Sequence, residues 1–362
     1  MATSSKARYL AHGAFYAELR RRVEIHFATI GCAPNKAPGM YAKTAVMLGW
    51  FAASYVLLVF WAATYWQACA LAVSLGLATA GIGFNVQHDG VHGGYSPRKG
   101  VNRLMALSLD MLGGSSYVWS WKHNVFHHSN PNAVGLDADI DIQPLCRLAP
   151  AQPRRAGHRF QHLYIWLLYS LLLVKWHFVD DFKELVGGRI GGLHFPRPHG
   201  LSLWSMVAGK FLFLLWAFGV PALLHPIWQV GMCYALGSLT ASLTMAVTFQ
   251  LAHCVEGAAF PVLDGAAVRA RTEWAVHQVE ASANFAPRNR VLSWYVGGLN
   301  YQIEHHLFPS VCHLHLRGLS RIVQATCLEY GVNYRVYPTV RAALASHVRW
   351  VYRMGRPRTD AA

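Results

Sequence analysis

The sequence predicts an all-α integral membrane protein with four transmembrane helices arranged in two hairpins. Hydrophobic residues make up 54% of the 362 residues and charged residues only 14%, whereas a soluble globular chain carries about 25% charged residues. Residues 44–85 contain no charged side chain, and Lys210 is the only one between 203 and 251. Because about 20 apolar residues suffice to cross the hydrocarbon of a bilayer, each stretch is long enough for two spans.

The two apolar stretches divide the chain into parts. The first hairpin is predicted at about 44–66 and 68–85, turning near Gln67, and the second at about 203–224 and 227–251. An N-terminal arm (1–43) precedes this membrane domain (44–330), and a C-terminal tail (331–362) follows it. Both flanks and the middle segment are rich in Lys and Arg, whereas the predicted outer turns have none. The positive-inside rule therefore puts both termini and the middle segment in the cytosol.

Two further apolar segments, 101–119 and 163–179, are predicted to lie in the membrane plane at the cytosolic face. Asp110 interrupts the first, and the second contains Lys175 and precedes Asp180, which suits interfacial helices better than spans. As a fifth span, 163–179 would put the later histidines on the opposite side of the membrane from the earlier ones. The polar, basic N-terminus predicts no cleavable signal peptide.

The charge and the cysteines narrow the class of partner and the compartment. The formal net charge is +15, which nucleic acid or an anionic lipid surface would both explain. The apolar runs favour the lipid bilayer, so we expect no nucleic-acid partner. The seven cysteines are odd in number and form no CxxC pair, which indicates reduced thiols instead of a disulfide framework.

Histidine is unusually abundant, with twenty residues. Eight of them lie in three short clusters or at the predicted cytosolic end of the fourth span: His88, His92, His123, His127, His128, His253, His305 and His306. Residues four apart share one face of a helix, so two of the clusters each offer a pair that can bind a metal. Adjacent histidines point about 100° apart on a helix and can therefore serve two neighbouring metals.

A single HxxxH pair in a histidine-rich chain is weak evidence, because most histidines are structural. Three clusters on one membrane face make a metal site the better explanation, since ionisable groups at membrane depth are costly and usually functional. Eight imidazoles exceed the four ligands of one zinc, which favours two metals with about four nitrogens each. Imidazole suits iron, copper, nickel and zinc alike, so spacing leaves the metal open. His313, outside the clusters, is expected to face lipid.

The clusters HDGVH (88–92), HNVFHH (123–128) and QIEHH (302–306), set between paired hydrophobic hairpins, resemble the three histidine boxes of the membrane fatty-acid desaturase family. The third box begins with Gln, as in the front-end branch. The strings LGGSSYVWSWKHNVFHH, WAVHQVEASANFA and GGLNYQIEHHLFP resemble bacterial linoleoyl-CoA-desaturase-like members that lack a fused cytochrome domain. The resemblance implies four spans, a cytosolic helical cap holding a di-iron site, and a buried acyl tunnel. It also implies O₂ as co-substrate and a bacterial inner-membrane location, with a cytoplasmic active site.

By the same resemblance, the eight clustered histidines are the iron ligands, and no further catalytic residue is implied. Gln302 stands where many relatives have a ligating His, and we expect it to support a ligand instead of binding iron. Phe249 occupies the position at which other branches have a water-holding Asn, and Gln250, His277 or Asn284 are the possible substitutes. From the residues themselves, Asp137 and its neighbours Asp139 and Asp141 are interpreted either as acceptors behind the ligand imidazoles or as a solvated acidic loop.

The resemblance predicts an oxygen-dependent desaturase acting on a fatty-acyl chain carried by CoA, carrier protein or lipid. No GxGxxG fingerprint and no HPGG haem motif occurs in the sequence, so a separate electron donor is expected, such as a ferredoxin or a cytochrome with its reductase. Hydroxylation or acetylenation on the same scaffold stays open. A histidine-rich metal transporter is disfavoured, because residues 44–85 contain no charged side chain and no histidine that could line a path.

Overall fold

The computed structural model describes residues 8–10, 13–261 and 269–357, and within them the chain is mostly helical. The α-helices are α1 (Ala14–Thr29), α2 (Gly39–Phe60), α3 (Tyr65–Ile82), α4 (His88–His92), α5 (Lys99–Ala106), α6 (Ser108–Met111), α7 (Ser116–Ser120), α8 (Gln161–Ser170), α9 (Leu172–Lys175), α10 (Asp181–Gly187), α11 (Leu201–Leu214), α12 (Val220–Ala222), α13 (Ile227–His253), α14 (Trp274–Glu280), α15 (Arg290–Tyr295), α16 (Gln302–Leu307), α17 (His313–Glu329) and α18 (Val340–Met354). Wider π-helical turns occupy Gly83–Gln87, Trp121–His127, Trp176–Asp180 and Leu215–Gly219, and short 3₁₀ turns occupy Ala138–Ile140 and Ala156–Phe160.

The strands are short and form three two-stranded ladders. β1 (Arg8–Leu10) pairs in parallel with β4 (Arg269–Glu273), and β5 (Asn284–Phe285) pairs in parallel with β6 (Val336–Tyr337). β2 (Arg189–Ile190) and β3 (Leu193–His194) form an antiparallel pair. These ladders join loops to the helical body, so the architecture is helical as predicted.

Among the described residues, four helices are long and apolar enough to cross a membrane: Gly39–Phe60, Tyr65–His92, Leu201–Ala222 and Ile227–His253. The second runs through the π turn into α4, past the predicted end of that span, and therefore carries the first histidine cluster. The first interhelical turn lies at 61–64, and not near Gln67. Gln67 instead closes a capping box with Thr64 at the start of α3: the backbone N–H of Gln67 donates to Thr64 Oγ1 at 3.3 Å and Gln67 Oε1 accepts from the backbone N–H of Thr64 at 3.0 Å.

The long helices pack closely because small residues face each other. α3 contacts both α2 and α13. A side chain at Gly76 would collide with the backbone of Gly237 on α13, so the two helices approach backbone to backbone. Small residues at such crossings are the usual means of helix association in lipid, where no hydrophobic force drives the helices together.

The second of the two segments predicted to lie in the membrane plane, 163–179, belongs to a bent pair of helices. The helices Ala156–Ser170 and Leu172–Gly187 meet at 56°, and taken together they are long and apolar enough to form a fifth span. Their exposed side includes Leu163, Leu167 and Val186, while Lys210 of α11 pairs with the buried Asp181 at 2.7 Å. An exposed apolar side and an ion pair to a spanning helix both suit a helix at the membrane surface, and the in-plane placement stays a prediction.

A core of buried apolar side chains lies outside the four long helices and supports the third histidine cluster. Buried apolar side chains of α1, α14, α16 and α17 form one group, which includes Leu19, Val279, Ile303 and Leu319. α18, within the predicted C-terminal tail, packs on α8 and α13. The third cluster therefore sits on a short helix held by packing on several sides.

Candidate metal centre

Four elements bring the eight predicted histidines together. α4, which is the last part of the second span, supplies His88 and His92, directly after the π turn 83–87. The π turn 121–127 and the residue after it supply His123, His127 and His128. The end of α13 supplies His253, and α16 supplies His305 and His306. All of them except the partly exposed His92 are buried.

The second cluster is wound more widely than an α-helix. The backbone N–H of His128 donates to the carbonyl of His123 at 3.0 Å, which is the i to i+5 pattern of a π turn. In such a turn, the residues four and five positions along both return to the face of the first. His123, His127 and His128 are thereby aimed at one centre, whereas regular α-helical spacing would turn His128 away.

The ring nitrogens form two adjacent groups. His88, His92, His123 and His305 offer nitrogens that all lie within 4.8 Å of one another, and so do His127, His253 and His306. His128 lies between the groups: its Nε2 is 3.3 Å from Nε2 of His123 and 3.0 Å from Nε2 of His305, and its ring stacks on His306 at 4.4 Å. The arrangement is two neighbouring sets of imidazoles with one shared member.

Hydrogen bonds behind the rings orient three histidines of this assembly. His127 Nδ1 lies 3.0 Å from a carboxylate oxygen of Asp137, and His253 Nδ1 lies 3.2 Å from a backbone carbonyl oxygen. His306 Nδ1 lies 2.9 Å from Oε1 of Gln278. Each Nδ1–H then donates outward, which leaves the Nε2 lone pair directed into the centre, the tautomer that a metal needs.

Burial keeps most of these imidazoles uncharged. Desolvation lowers the pKa of His123 to about 3 and the pKa of His128, His305 and His306 well below the usual histidine value. For His127, burial alone would lower the pKa, but the carboxylates of Asp137 and Asp139 together outweigh it and raise the pKa. Neutral imidazoles present lone pairs to one another, so the centre is electron-rich.

Several histidine ring nitrogens have no hydrogen-bond partner among the described residues, and their chemistry indicates whether a metal fits the site. Both ring nitrogens of His88, Nε2 of His92 and Nδ1 of His128 are buried without a hydrogen-bond partner among the described residues. An unpaired buried polar atom is costly, and Nε2 atoms facing each other at 3.0–3.3 Å repel unless a proton or a cation lies between them. A site of this donor chemistry fits metal ions that accept imidazole ligands.

A buried polar chain behind the first cluster was missed by the sequence analysis. Asp89 accepts hydrogen bonds from the backbone N–H and Nδ1 of His313, at 3.1 and 2.9 Å. The other nitrogen of His313 lies 2.8 Å from Nζ of Lys43. The expectation that His313 faces lipid is therefore wrong, because the ring is buried against a carboxylate. The position of Asp89, between the predicted ligands His88 and His92, was a readable sign that its carboxylate has a buried partner.

Of the residues predicted to support the ligands, Asp137 and Gln302 contact the histidine groups, whereas Gln250 and His277 do not. Asp137 contacts His127, and Nε2 of Gln302 lies 3.0 Å from Nε2 of His253, while the amide oxygen of Gln302 has no partner among the described residues. Gln250 and His277 bond to backbone carbonyls, of Asp139 and Pro131 respectively, and join neither histidine group. They therefore support the loop around the second cluster.

Asn284 holds the third cluster from outside. Its Nδ2 donates to the buried carboxylate of Glu304 at 2.7 Å, and its Oδ1 accepts the backbone N–H of Ile303 at 3.0 Å. Tyr334 also donates to Glu304, at 2.7 Å. No role was predicted for Glu304 from the sequence, although its carboxylate lies inside the third cluster, QIEHH.

A cavity of about 580 Å³ lies among the long helices. Most of its wall is apolar, with Leu112, Leu173 and Phe213 among the lining residues, and His177 and Tyr234 contribute polar atoms. His177 Nδ1 lies 2.9 Å from the hydroxyl of Tyr234, which satisfies both groups. Such a cavity suits an apolar chain better than a hydrated ligand.

Four apolar helices long enough to span a membrane and two buried histidine groups at one end of them define an integral membrane protein with a histidine-rich site that fits metal ions. Residues 64–338 match the family model described as fatty acid desaturase. The chain belongs to the fatty acid desaturase family, and it is therefore an oxidoreductase of lipid metabolism that acts on fatty-acyl chains.

Relatives of the chain agree with this family over nearly its whole length. The sn-1 linoleoyl-lipid 6-desaturase of Arthrospira platensis is 36% identical, covering 99% of this chain and 98% of that protein. The protein of the same name from Synechocystis sp. is 34% identical, covering 98% and 99%. The acyl-lipid (8-3)-desaturase of Physcomitrium patens is 36% identical, covering 94% of this chain and 72% of its own. The predicted resemblance to the desaturase family is confirmed.

Proposed function

We propose that this desaturase uses two iron ions held by the eight clustered histidines, with O₂ as the co-substrate. One iron would be held by the first group (His88, His92, His123 and His305) and the other by the second (His127, His253 and His306), with His128 between them. The observation that carries the proposal is the convergence of imidazole nitrogens from four separate elements in a buried centre.

With two electrons from a separate donor and two protons, two bound irons would supply the reduction of O₂ to two waters as one hydrogen leaves each of two neighbouring methylenes, which become a double bond. The chain's own contribution is geometric and electrostatic. Asp137, Gln278 and the backbone carbonyl of Ala281 hold the tautomer of three ligands. Trp119 stacks on His123 at 4.2 Å between ring centroids, which fixes that ring and keeps water from one side of the centre. A dry, preorganised site is what the protein adds to chemistry that the metals perform.

The spans form two hairpins, and the remaining helices form a cap at the end where the histidines lie. The turns at 61–64 and 223–226, at the opposite end, contain no Lys or Arg, whereas the arm before residue 39 contains six. This difference supports cytoplasmic termini and a cytoplasmic active site. The proposal keeps a bacterial inner membrane as the location and 1–43, 44–330 and 331–362 as arm, desaturase domain and tail.

The substrate class follows from the relatives and from the cavity. The relatives above are named as lipid-linked acyl desaturases, which supports an acyl-lipid over an acyl-CoA or acyl-carrier protein as substrate. The apolar cavity among the spans can take the far end of the chain. Electrons would come from a separate ferredoxin or cytochrome with its reductase.

The test is to express the chain in a bacterial host and to locate new double bonds in the total acyl lipid by mass spectrometry. We expect one new double bond with the wild-type chain, none with His306→Ala, and the wild-type result with His199→Ala, a histidine outside both groups. Both variants must appear in the membrane in equal amount. An unchanged lipid profile with wild-type chain that contains iron and has a working electron donor would contradict the proposal, and a hydroxyl group or triple bond would redirect it to the alternative outcomes.

A further inference from the structure

A basic cleft opens on the surface near the inner end of the first span. It has a volume of about 630 Å³ and lies between the end of α1, α15 and α17, and its lining residues are His26, Arg290, Leu314, Arg317, Gly318, Arg321 and Ile322. The three arginine side chains are exposed, and they make no ion pair or hydrogen bond within the part of the chain that the structure describes. No carboxylate is among these lining residues, so the cleft presents uncompensated positive charge.

Apolar side chains border the same cleft. Leu314 lies against the first residue of α2, since a Cβ added at Gly39 would meet it at 3.4 Å. On α15, Val291 is 79% exposed and Trp294 is 43% exposed. Lys43, one turn into the first spanning helix, lies 5.2 Å from the ring of Trp294. The cleft therefore lies where that helix leaves the membrane, with guanidinium groups beside surface suited to the edge of the hydrocarbon.

We propose that this cleft binds the phosphate of a glycerophospholipid whose acyl chain is the substrate. The inference rests on the proposed function and specifies its substrate class. Guanidinium groups bind phosphate oxygens through paired hydrogen bonds and stay charged at any physiological pH. An acidic electron-donor protein would also be attracted to three arginines, but the apolar border and the position at the end of a span fit a lipid held in the bilayer.

A short path of contacts joins the cleft to the first histidine group. α15 begins at Arg290 and ends at Tyr295, and six helical residues extend about 9 Å. The carbonyl of Tyr295 accepts a hydrogen bond from Asn85 Nδ2 at 2.7 Å, and Asn85 precedes His88 by three residues, or about 4.5 Å along a helix. A phosphate held in the cleft would therefore place the carboxyl end of the acyl chain near the metal centre. Such an anchor suits a double bond close to the carboxyl end.

The experiment uses the full-length protein, purified in detergent and stripped of lipid, and compares Arg317→Gln/Arg321→Gln with wild type. Arg341→Gln is the matched control, because Arg341 is exposed on α18 and outside the cleft. Three probes are titrated: dihexanoyl phosphatidylglycerol, dihexanoylglycerol without phosphate, and inorganic phosphate. Iron content is measured in every preparation, and KM and kcat are measured with a long-chain phospholipid substrate and a fixed electron donor.

We expect the double variant to bind the short phospholipid at least about tenfold more weakly and to show a similarly raised KM, with kcat and iron content unchanged. Arg317→Lys/Arg321→Lys should recover part of the loss, and wild type should bind dihexanoylglycerol poorly. Equal binding of inorganic phosphate and phospholipid by wild type would overturn the lipid assignment. Unchanged Kd and KM in the double variant would also overturn it, and so would a loss confined to the dependence on electron-donor concentration.

These outcomes separate this inference from the proposed function. If wild type forms double bonds and the double variant keeps its Kd and KM, only the cleft assignment is wrong. If wild type binds phospholipid through the arginines but forms no double bond in any lipid, the proposed function is wrong, although the cleft remains a phospholipid site.

Discussion

Replacing Asp137 by Asn should weaken the metal centre without removing any ligand. Asp137 is 1% exposed. Its Oδ2 contacts His127 Nδ1 at 3.0 Å and the backbone N–H of Asn132 at 2.8 Å, and its Oδ1 accepts the N–H of Asp139 at 2.9 Å. Asn has one oxygen for these two sides: in the Oδ2 position it leaves the amide NH₂ against the N–H of Asp139, and in the Oδ1 position it leaves the NH₂ against His127 and the N–H of Asn132. When that NH₂ faces His127, it meets the N–H of Nδ1, and the ring must move its proton to Nε2 and lose the lone pair aimed at the centre.

The magnitude follows from the bond that is lost. A hydrogen bond to a charged group contributes about 1.5–3 kcal/mol, and every 1.4 kcal/mol changes an affinity about tenfold. Metal affinity of the second histidine group should therefore fall about 10- to 100-fold, which is the usual effect of losing a partner behind a ligating imidazole. Iron retained per chain after graded exposure to a chelator measures this directly, alongside turnover.

A neighbouring carboxylate provides the control. Asp141 lies in the same loop, is exposed, and accepts only the backbone N–H of Gln143 among the bonds described. Asp141→Asn should retain iron and activity as wild type does. If Asp137→Asn keeps its iron at wild-type chelator concentrations and turns over at the wild-type rate, the hydrogen bond to His127 does not set the tautomer and the reasoning is wrong.

Four further outcomes are expected. His123→Ala should abolish turnover while the protein still inserts, and His199→Ala should be nearly silent; full activity of the first would contradict the ligand assignment. Gln302→Ala should keep most of its iron but lose about 10- to 100-fold in rate, and loss of one whole iron equivalent would make Gln302 a ligand. Lys210→Met should lower the free energy of unfolding by about 3–5 kcal/mol, because it leaves Asp181 buried without its counter-ion. The double replacement Lys210→Met/Asp181→Leu should recover much of this loss in a denaturation series. Equal stability of the single and double variants would refute this account of the ion pair. Purified protein with acyl-lipid, O₂ and NAD(P)H should be inactive until a ferredoxin or cytochrome and its reductase are added, and turnover without them would disprove the need for a separate donor.

The spans could be predicted because lipid imposes a simple rule on sequence. Helices in hydrocarbon must satisfy all backbone groups internally and carry few charges, so two long stretches with Lys210 as their single charged residue identified four helices. The ends were less certain, because capping groups decide them. Thr64 and Gln67 start α3 before the predicted turn, and a Thr three residues before a Gln was a readable signal for it.

The site was only partly visible from spacing. The i, i+4 pairs were visible, but His128 reaches the centre because the chain forms a π turn at 121–127, which α-helical periodicity does not indicate. His313, Asp89 and Lys43 lie far apart in sequence and meet only after the first span, α4 and α17 pack together. Long-range contacts of this kind carry no local pattern, although a carboxylate between two predicted ligands was a reason to look for its partner.

The most direct test of the account is metal analysis of the purified chain after expression in iron-replete medium. Two neighbouring histidine groups predict close to two equivalents of iron per chain, with the content reduced in His306→Ala and unchanged in His199→Ala. One equivalent of zinc with no iron would contradict the di-iron centre.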